Sequence, residues 1–199
     1  MTTIHLTTAR LVIRSPVIGD APAINAAIHA SAEALRAWMP WAQTLPTGEQ
    51  SRDNLHEAIA QSAADRDYRL LLFTHAGDLV GSSGLHQVDW RIAKAEIGYW
   101  AHQRFTGQGL ISEAVAAITR HAHQAMGLRR VEIIVSERNQ RSWRIAERLG
   151  YALEGTLRHH RVNPDGRSDH TRIYASICEQ PVAEEPWRGL AQAAVRAGA

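Results

Sequence analysis

The stretch Ala95-Glu-Ile-Gly-Tyr-Trp-Ala-His-Gln-Arg-Phe-Thr-Gly-Gln-Gly-Leu-Ile-Ser-Glu-Ala114 changes period in its middle, and the architecture follows from that break. From Lys94 to Trp100 the residues alternate. Glu96, Gly98 and Trp100 fall on one side and Ile97 and Tyr99 on the other, which is the signature of a strand. Downstream, Ile111, Val115, Ile118, Ala122 and Ala125 recur every three or four positions, marking one face of a helix from Leu110 to Met126 that ends near Gly127. Between them lies Arg104-Phe-Thr-Gly-Gln-Gly109. Two glycines at a strand-to-helix turn leave consecutive backbone N–H groups free at a helix N-terminus, a ready seat for a phosphate or pyrophosphate. The turn lacks the Gly-Lys-Ser/Thr ending of an ATP-binding loop and the third glycine of a dinucleotide fingerprint. An ordinary loop is the competing reading; the position of the motif favours anion binding.

Outward from this block the pattern continues. Arg130 to Ser136 reads as a strand and Gln140 to Leu149 as a helix stopped by Gly150. Tyr151 to Leu157 and Thr171 to Ile177 read as the last strands, separated by a polar loop from His159 to His170. Upstream, Tyr68 to Thr74 and Leu79 to His86 flank a turn at His75-Ala-Gly-Asp78 and join the Lys94 strand in an antiparallel meander. Arg10 to Arg14 is a first strand. Asp20 is placed to cap a helix with Pro22 in its first turn. Leu35 and Trp38 prolong the helical pattern up to Pro40, and Thr47 with Gln50 forms a capping box for a helix carrying Leu55 and Ile59. The order β, helices, β-β-β, α, β, α, β-β predicts an α/β domain with a mixed, mostly antiparallel, seven-stranded sheet flanked by helices. That domain covers residues 1–178. Residues 179–199 form a Pro-, Glu- and Ala-rich tail, with Gly189 to Arg196 a short helix or a loose segment.

Composition narrows the classes. A chain of 199 residues, 45% hydrophobic, suits one globular core. A net charge of +2 argues against a dedicated nucleic-acid binder, and Lys94 is the only lysine among 22 basic residues, a bias better explained by base composition than by an Arg-specific surface. Cys178 stands alone, so no intramolecular disulfide and no multi-cysteine metal site is expected. No apolar run approaches the roughly 20 residues of a membrane span, and Met1 to Arg14 has no signal-peptide core. These readings predict a cytoplasmic protein.

Three more features carry chemistry. Asn139-Gln-Arg-Ser142 opens the helix after the Arg130 strand, and consecutive strand–helix units place both helix N-termini on one sheet edge. Ser142 is either a helix-end residue or a hydroxyl beside whatever the glycine turn binds. Glu96 is a carboxylate in an otherwise apolar strand, which implies a general base or a salt bridge to one of the arginines. His86 is a candidate for proton transfer. Metal binding is not expected: His121 and His123 are two apart on a helix, and His159, His160 and His170 share a loop without cysteine.

These residues resemble the GCN5-related N-acetyltransferase (GNAT) family. Residues 95–114 are similar in detail to the branch that acetylates the N-terminal residue of ribosomal proteins, as are Val135-x-x-x-Asn139-x-x-Ser142 and Leu149-Gly-Tyr-Ala-Leu-Glu-Gly155. Trp38-Met-Pro-Trp41 is similar to an aromatic segment near that branch's acceptor pocket. The resemblance implies acetyl-CoA as donor, with its pyrophosphate on the amides of Thr106, Gly107, Gln108, Gly109 and Leu110, near Arg104. Its pantetheine arm would run beside Tyr99, Trp100, Ala101 and His102, with the Ser142 hydroxyl near the thioester sulfur and Asn139 a further donor-binding residue. Beside that resemblance, Glu96, directly or through water, is the candidate base and Ser142 the acid to the departing thiolate, with Trp38, Trp41 and His86 as candidate acceptor contacts. Attack on the thioester is expected to develop an oxyanion within reach of a strand N–H near Tyr99 or Trp100. Where serine acetyltransferases of this branch carry a glutamate acting through water, this chain has Arg161. The acceptor is then a protein N-terminus, or alternatively a small amine or aminoacyl compound; an acyl-CoA sensor without turnover is a third reading. A homodimer is an open possibility.

Overall fold

A computed structural model describes residues 3–179. The predicted tail therefore lies almost wholly outside the described residues. Strands β1 (His5–Thr7) and β2 (Leu11–Arg14) precede helices α1 (Ala21–Ala30), α2 (Ala32–Arg36) and α3 (Gly48–Ala63). The meander β3 (Tyr68–Thr74), β4 (Leu79–Asp89) and β5 (Lys94–Ala101) follows. Then come α4 (Leu110–Gln124), β6 (Arg130–Ser136), α5 (Gln140–Arg148), β7 (Ala152–Val162) and β8 (Ser168–Ile177). Among the described residues the eight strands form one sheet in the order β1-β2-β3-β4-β5-β6-β8-β7, in which only β5 and β6 run parallel. None of the described helices is long and apolar enough to cross a membrane.

Each face of the sheet has its own core. Leu110, Val115, Ile118 and Ala122 of α4 are buried against Ile13, Leu85, Ile97 and Val131, as the helical spacing predicts. Each large aliphatic side chain so buried contributes about 1.5–3 kcal/mol. On the opposite face Ile24, Ile28, Leu35 and Leu55 of α1–α3 close over Leu71 and Leu79, with Phe73 and Trp100 at the margin. The Thr47–Gln50 capping box is present at the start of α3.

Three expectations need correction. The sheet has eight strands rather than seven, because His5–Thr7 pairs with Val12–Arg14, and three residues are too few to show alternation. Asp20 does not cap α1; its carboxylate accepts from both terminal nitrogens of Arg14 and from the Val17 amide. The polar segment from His159 to His170 is not a loop. Arg161 pairs with Asp169 and Val162 with Ser168, leaving a turn in which the Gly166 amide donates to the Asn163 carbonyl. These arms project past the helix-covered core, and β7 is exposed along nearly its whole length. No apolar alternation is imposed there, so the continuation of β7 past Leu157 and the start of β8 before Thr171 were not legible.

Candidate active site

β5 and β6 pair only from Lys94 to Glu96 and from Arg130 to Glu132. Past that rung they part, while β5 stays paired to β4 as far as Ala101. The far half of β5 therefore presents an unpaired edge toward β6. The chain leaving β5 passes through a 3-10 turn at Gln103–Phe105 and the glycine turn into α4, and the chain leaving β6 turns directly into α5, so both helix N-termini face the fork. A cleft of about 530 Å³ opens there.

One wall is the glycine turn. Gly107 and Gly109 hold φ of +75° and +76°, the left-handed region where a β-carbon is strained. Gly109 is the N-cap of α4 and no side chain among the described residues caps that helix, so its first amides are left for a ligand. A β-carbon at Gly107 would meet nothing within 4 Å, and one at Gly109 only Arg10 Nη2 at 3.6 Å. The space beside the turn is open, and the fit suits a phosphate. Arg10 holds the turn from the other end of the chain: its Nη1 donates to the Gln108 carbonyl at 2.9 Å and its Nε to Glu113 at 2.6 Å.

The opposite wall is α5. The Asn139 side chain accepts from the Ser142 amide at 3.2 Å and so caps the helix. The Ser142 hydroxyl donates to the Tyr99 oxygen at 3.1 Å, and the Tyr99 hydroxyl donates to the Ser142 carbonyl at 3.0 Å. Burial pushes the Tyr99 phenol up to about 12, outweighing the Ser142 hydrogen bond, so both hydroxyls keep their protons at neutral pH. Arg141, Arg144 and Arg148 line the same cleft from α5. Sequence reading missed this row, although the spacing i, i+3, i+7 would have shown that the three share a helix face. Arg10 had no local signal.

The cleft brings together Trp38, Tyr99, Trp100, Ala101, Thr106, Gly107, Gly109, Leu110, Asn139 and Ser142. Others of the predicted site stand apart from its lining. His102 Nδ1 accepts from the Arg104 amide, Arg104 lies over the Phe105 ring, and the Gln108 amide donates to the Arg104 carbonyl, so these side chains build the turn. Trp41 is 46% exposed on the Pro40–Gln43 turn. Glu96 of β5 and His86 of β4 are cross-strand partners nearer the start of β5, on the face shared with Trp100. Burial, together with the nearby Glu132, holds the Glu96 carboxyl above its ordinary range, while His86, Lys94 and Arg161 draw it down. Arg161 Nε is buried without a hydrogen-bond partner among the described residues.

Comparison with known proteins gives a consistent set. Residues 10–152 match the family model described as an acetyltransferase (GNAT) domain. The ribosomal-protein-serine acetyltransferase of Escherichia coli (strain K12) is 28% identical over 147 residues, covering 72% of this chain and 82% of that protein. YdaF of Bacillus subtilis (strain 168), which carries a provisional name as a ribosomal N-acetyltransferase, is 29% identical over 139 residues, 70% of this chain and 76% of that one. Among solved structures, the ribosomal L7/L12 α-N-protein acetyltransferase RimL in complex with coenzyme A superposes with a TM-score of 0.83 at 23% identity, covering 89% of this chain and 99% of that one. The microcin C7 self-immunity acetyltransferase MccE, solved with acetyl-CoA and AMP, gives 0.81 at 19% identity over 86% of this chain and 94% of that one.

Proposed function

The chain belongs to the GNAT acetyltransferase domain family, and from that membership we propose that it transfers the acetyl group of acetyl-CoA to the α-amine of a protein N-terminus of the ribosomal-protein kind. The observation that carries this reading is the convergence of the uncapped α4 turn and the α5 N-terminus on the unpaired edge of β5. The amides from Thr106 to Leu110 would hold the pyrophosphate, with Arg141, Arg144 and Arg148 supplying positive charge. The bound donor supplies a thioester, whose sulfur leaves as a thiolate. Ser142 holds a transferable proton at Oγ, and Tyr99 fixes that hydroxyl at the mouth of the fork. The cleft lining contains no cysteine, and Cys178 follows β8, so direct transfer needs no enzyme nucleophile.

The acceptor enters from the α1–α3 side. Leu35, Trp38, Met39 and Trp100 line the cleft there and exclude water from the reacting amine. A protein N-terminus has an ordinary pKa near 7.7–8.0, so loss of its proton is a modest step at neutral pH. Glu96, on this face, is the carboxylate that draws the ammonium form toward the site. Free-thiol release from acetyl-CoA with a panel of N-terminal peptides and small amines tests the reading. Turnover with peptides bearing a free α-amine is expected. Turnover confined to small amines moves the function to small-molecule acylation, and binding without release makes the protein a sensor.

A further inference from the structure

The face of the sheet that carries Trp100 has a floor without side chains. Gly84 of β4 and Gly98 of β5 are cross-strand partners, and the next pair along is His86 with Glu96. The His86 ring lies over this floor. A β-carbon on Gly98 would stand 3.2 Å from its Cδ2 and 3.3 Å from its Nε2, and one on Gly84 would stand 3.1 Å from its Cε1. The ring thus leans from its own rung toward the cleft, with Nε2 above Gly98, one residue from the Tyr99–Trp100 segment that lines it. Behind the ring, Nδ1 meets Asp67 Oδ2 at 2.7 Å. Asp67 precedes β3, and a positive φ at Gln87 marks the irregularity in β4 just past His86. Both side chains are about 30% exposed, and Nε2 has no hydrogen-bond partner among the described residues.

A carboxylate on Nδ1 selects the tautomer in which Nδ1 carries the hydrogen and Nε2 presents its lone pair. The geometry points to His86, oriented by Asp67, as the group that takes the proton from the acceptor ammonium, with Glu96 behind it as the countercharge for the imidazolium. This rests on the acyl-transfer reading above and replaces contact between Glu96 and the amine with contact through His86. The balance is simple. The ammonium gives one proton to Nε2 and becomes the attacking amine. The second proton leaves the nitrogen as the C–N bond forms and the C–S bond breaks, and it goes to the thiolate by way of Ser142. His86 returns its proton to solvent. The charged groups around the ring are Asp67 and Arg69 from the β3 side and Glu96 from β5. Lys94, Glu132 and Arg161 stand beside Glu96.

His86→Gln is expected to lower kcat about 10²–10⁴-fold, the range for general base catalysis, with the KM for acetyl-CoA within twofold of wild type. In His86→Ala, free imidazole should restore part of the rate, because the glycine floor leaves room for it. Asp67→Asn should give a smaller loss. Independently of turnover, ¹⁵N shifts of the neutral imidazole should report the hydrogen on Nδ1, and Asp67→Asn should abolish that preference. A kcat near wild type in folded His86→Gln, no imidazole rescue, or the hydrogen on Nε2 overturns the proposal. If the wild type acetylates only small amines, the N-terminal reading fails while the kcat-against-KM split and the tautomer still judge His86.

Discussion

The Ser142 hydroxyl donates to Tyr99, while the cap of α5 is made by the side chain of Asn139. This separates two roles that were inseparable in the sequence. Ser142→Ala leaves the cap in place, so its melting temperature should stay near that of the wild type. As proton donor to the thiolate its loss should cost about 10²-fold in kcat, the low end for general acid catalysis, because a thiolate is a tolerable leaving group near neutral pH. A drop below about threefold with a lowered melting temperature would make Ser142 a structural residue. Asn139→Ala should do the reverse and cost about 0.5–2 kcal/mol of stability in urea titration. Glu96 adds a sign. Its carboxyl is raised by burial, so the stability it contributes is present below the ordinary carboxylate value and lost as pH rises through the raised one. Glu96→Gln should therefore match or exceed the wild-type urea midpoint at pH 7 while kcat falls. A lower midpoint would mean the carboxylate stabilises the fold instead.

At the scale of elements, the turn before α4 combines strain with space. Gly109→Val forces a branched side chain into φ +76°, at about 1–2 kcal/mol, where the β-carbon meets only the end of the Arg10 side chain. The protein should fold, and calorimetry should show acetyl-CoA affinity reduced at least tenfold. Unchanged affinity in the folded variant would remove the turn from the phosphate site. α4 also anchors the turn to the sheet. Ile118 is fully buried, and Ile118→Ala should cost about 2–5 kcal/mol, read as a lower denaturant midpoint. The glycine motif and the α4 face were legible because both are local: residues within a turn or two of one another set them. The arms of β7 and β8 were not, because β7 is exposed on both faces and the residues that β8 buries there, Asp169 and Thr171, are polar, so neither carries an apolar alternation.

For the molecule as a whole, the predicted pH response is acid lability. Burial works to raise the carboxyls of Asp20, Glu113 and Asp169. It is outweighed by hydrogen bonds: from Arg14 and the Val17 amide to Asp20, from Thr8 and Arg10 to Glu113, and from Ser136, Asn163 and the His170 amide to Asp169. All three folded-state values lie below the ordinary carboxylate range. Their contribution is therefore complete above that range and lost as pH falls through the depressed values. Each carboxylate ties two elements: the end of β2 to the turn before α1, the start of β2 to α4, and the end of β6 to the β7–β8 turn by way of Asp169. Urea midpoints should be flat near neutrality and fall steeply below about pH 4, the ordinary range for these groups. Asp169→Asn should lower the neutral midpoint and flatten that fall. An acid limb identical to wild type would assign the pH dependence elsewhere.

The order of elements, the amphipathic face of α4, the capping box of α3 and the glycine turn were all written in short-range pattern. Periodicity and turn chemistry act over a few residues and need no distant partner. The eighth strand, the parting of β5 from β6 and the Arg141–Arg144–Arg148 row of the cleft came only from the folded chain. Arg10 reaches Gln108, Tyr99 reaches Ser142, and Asp67 reaches His86, each through sheet or helix neighbours that no local pattern names. Whether two strands stay paired or splay depends on what packs into the fork, and which nitrogen of a histidine is free depends on what stands behind the other. Such facts belong to long-range pairing and packing, where residues far apart in the chain become neighbours.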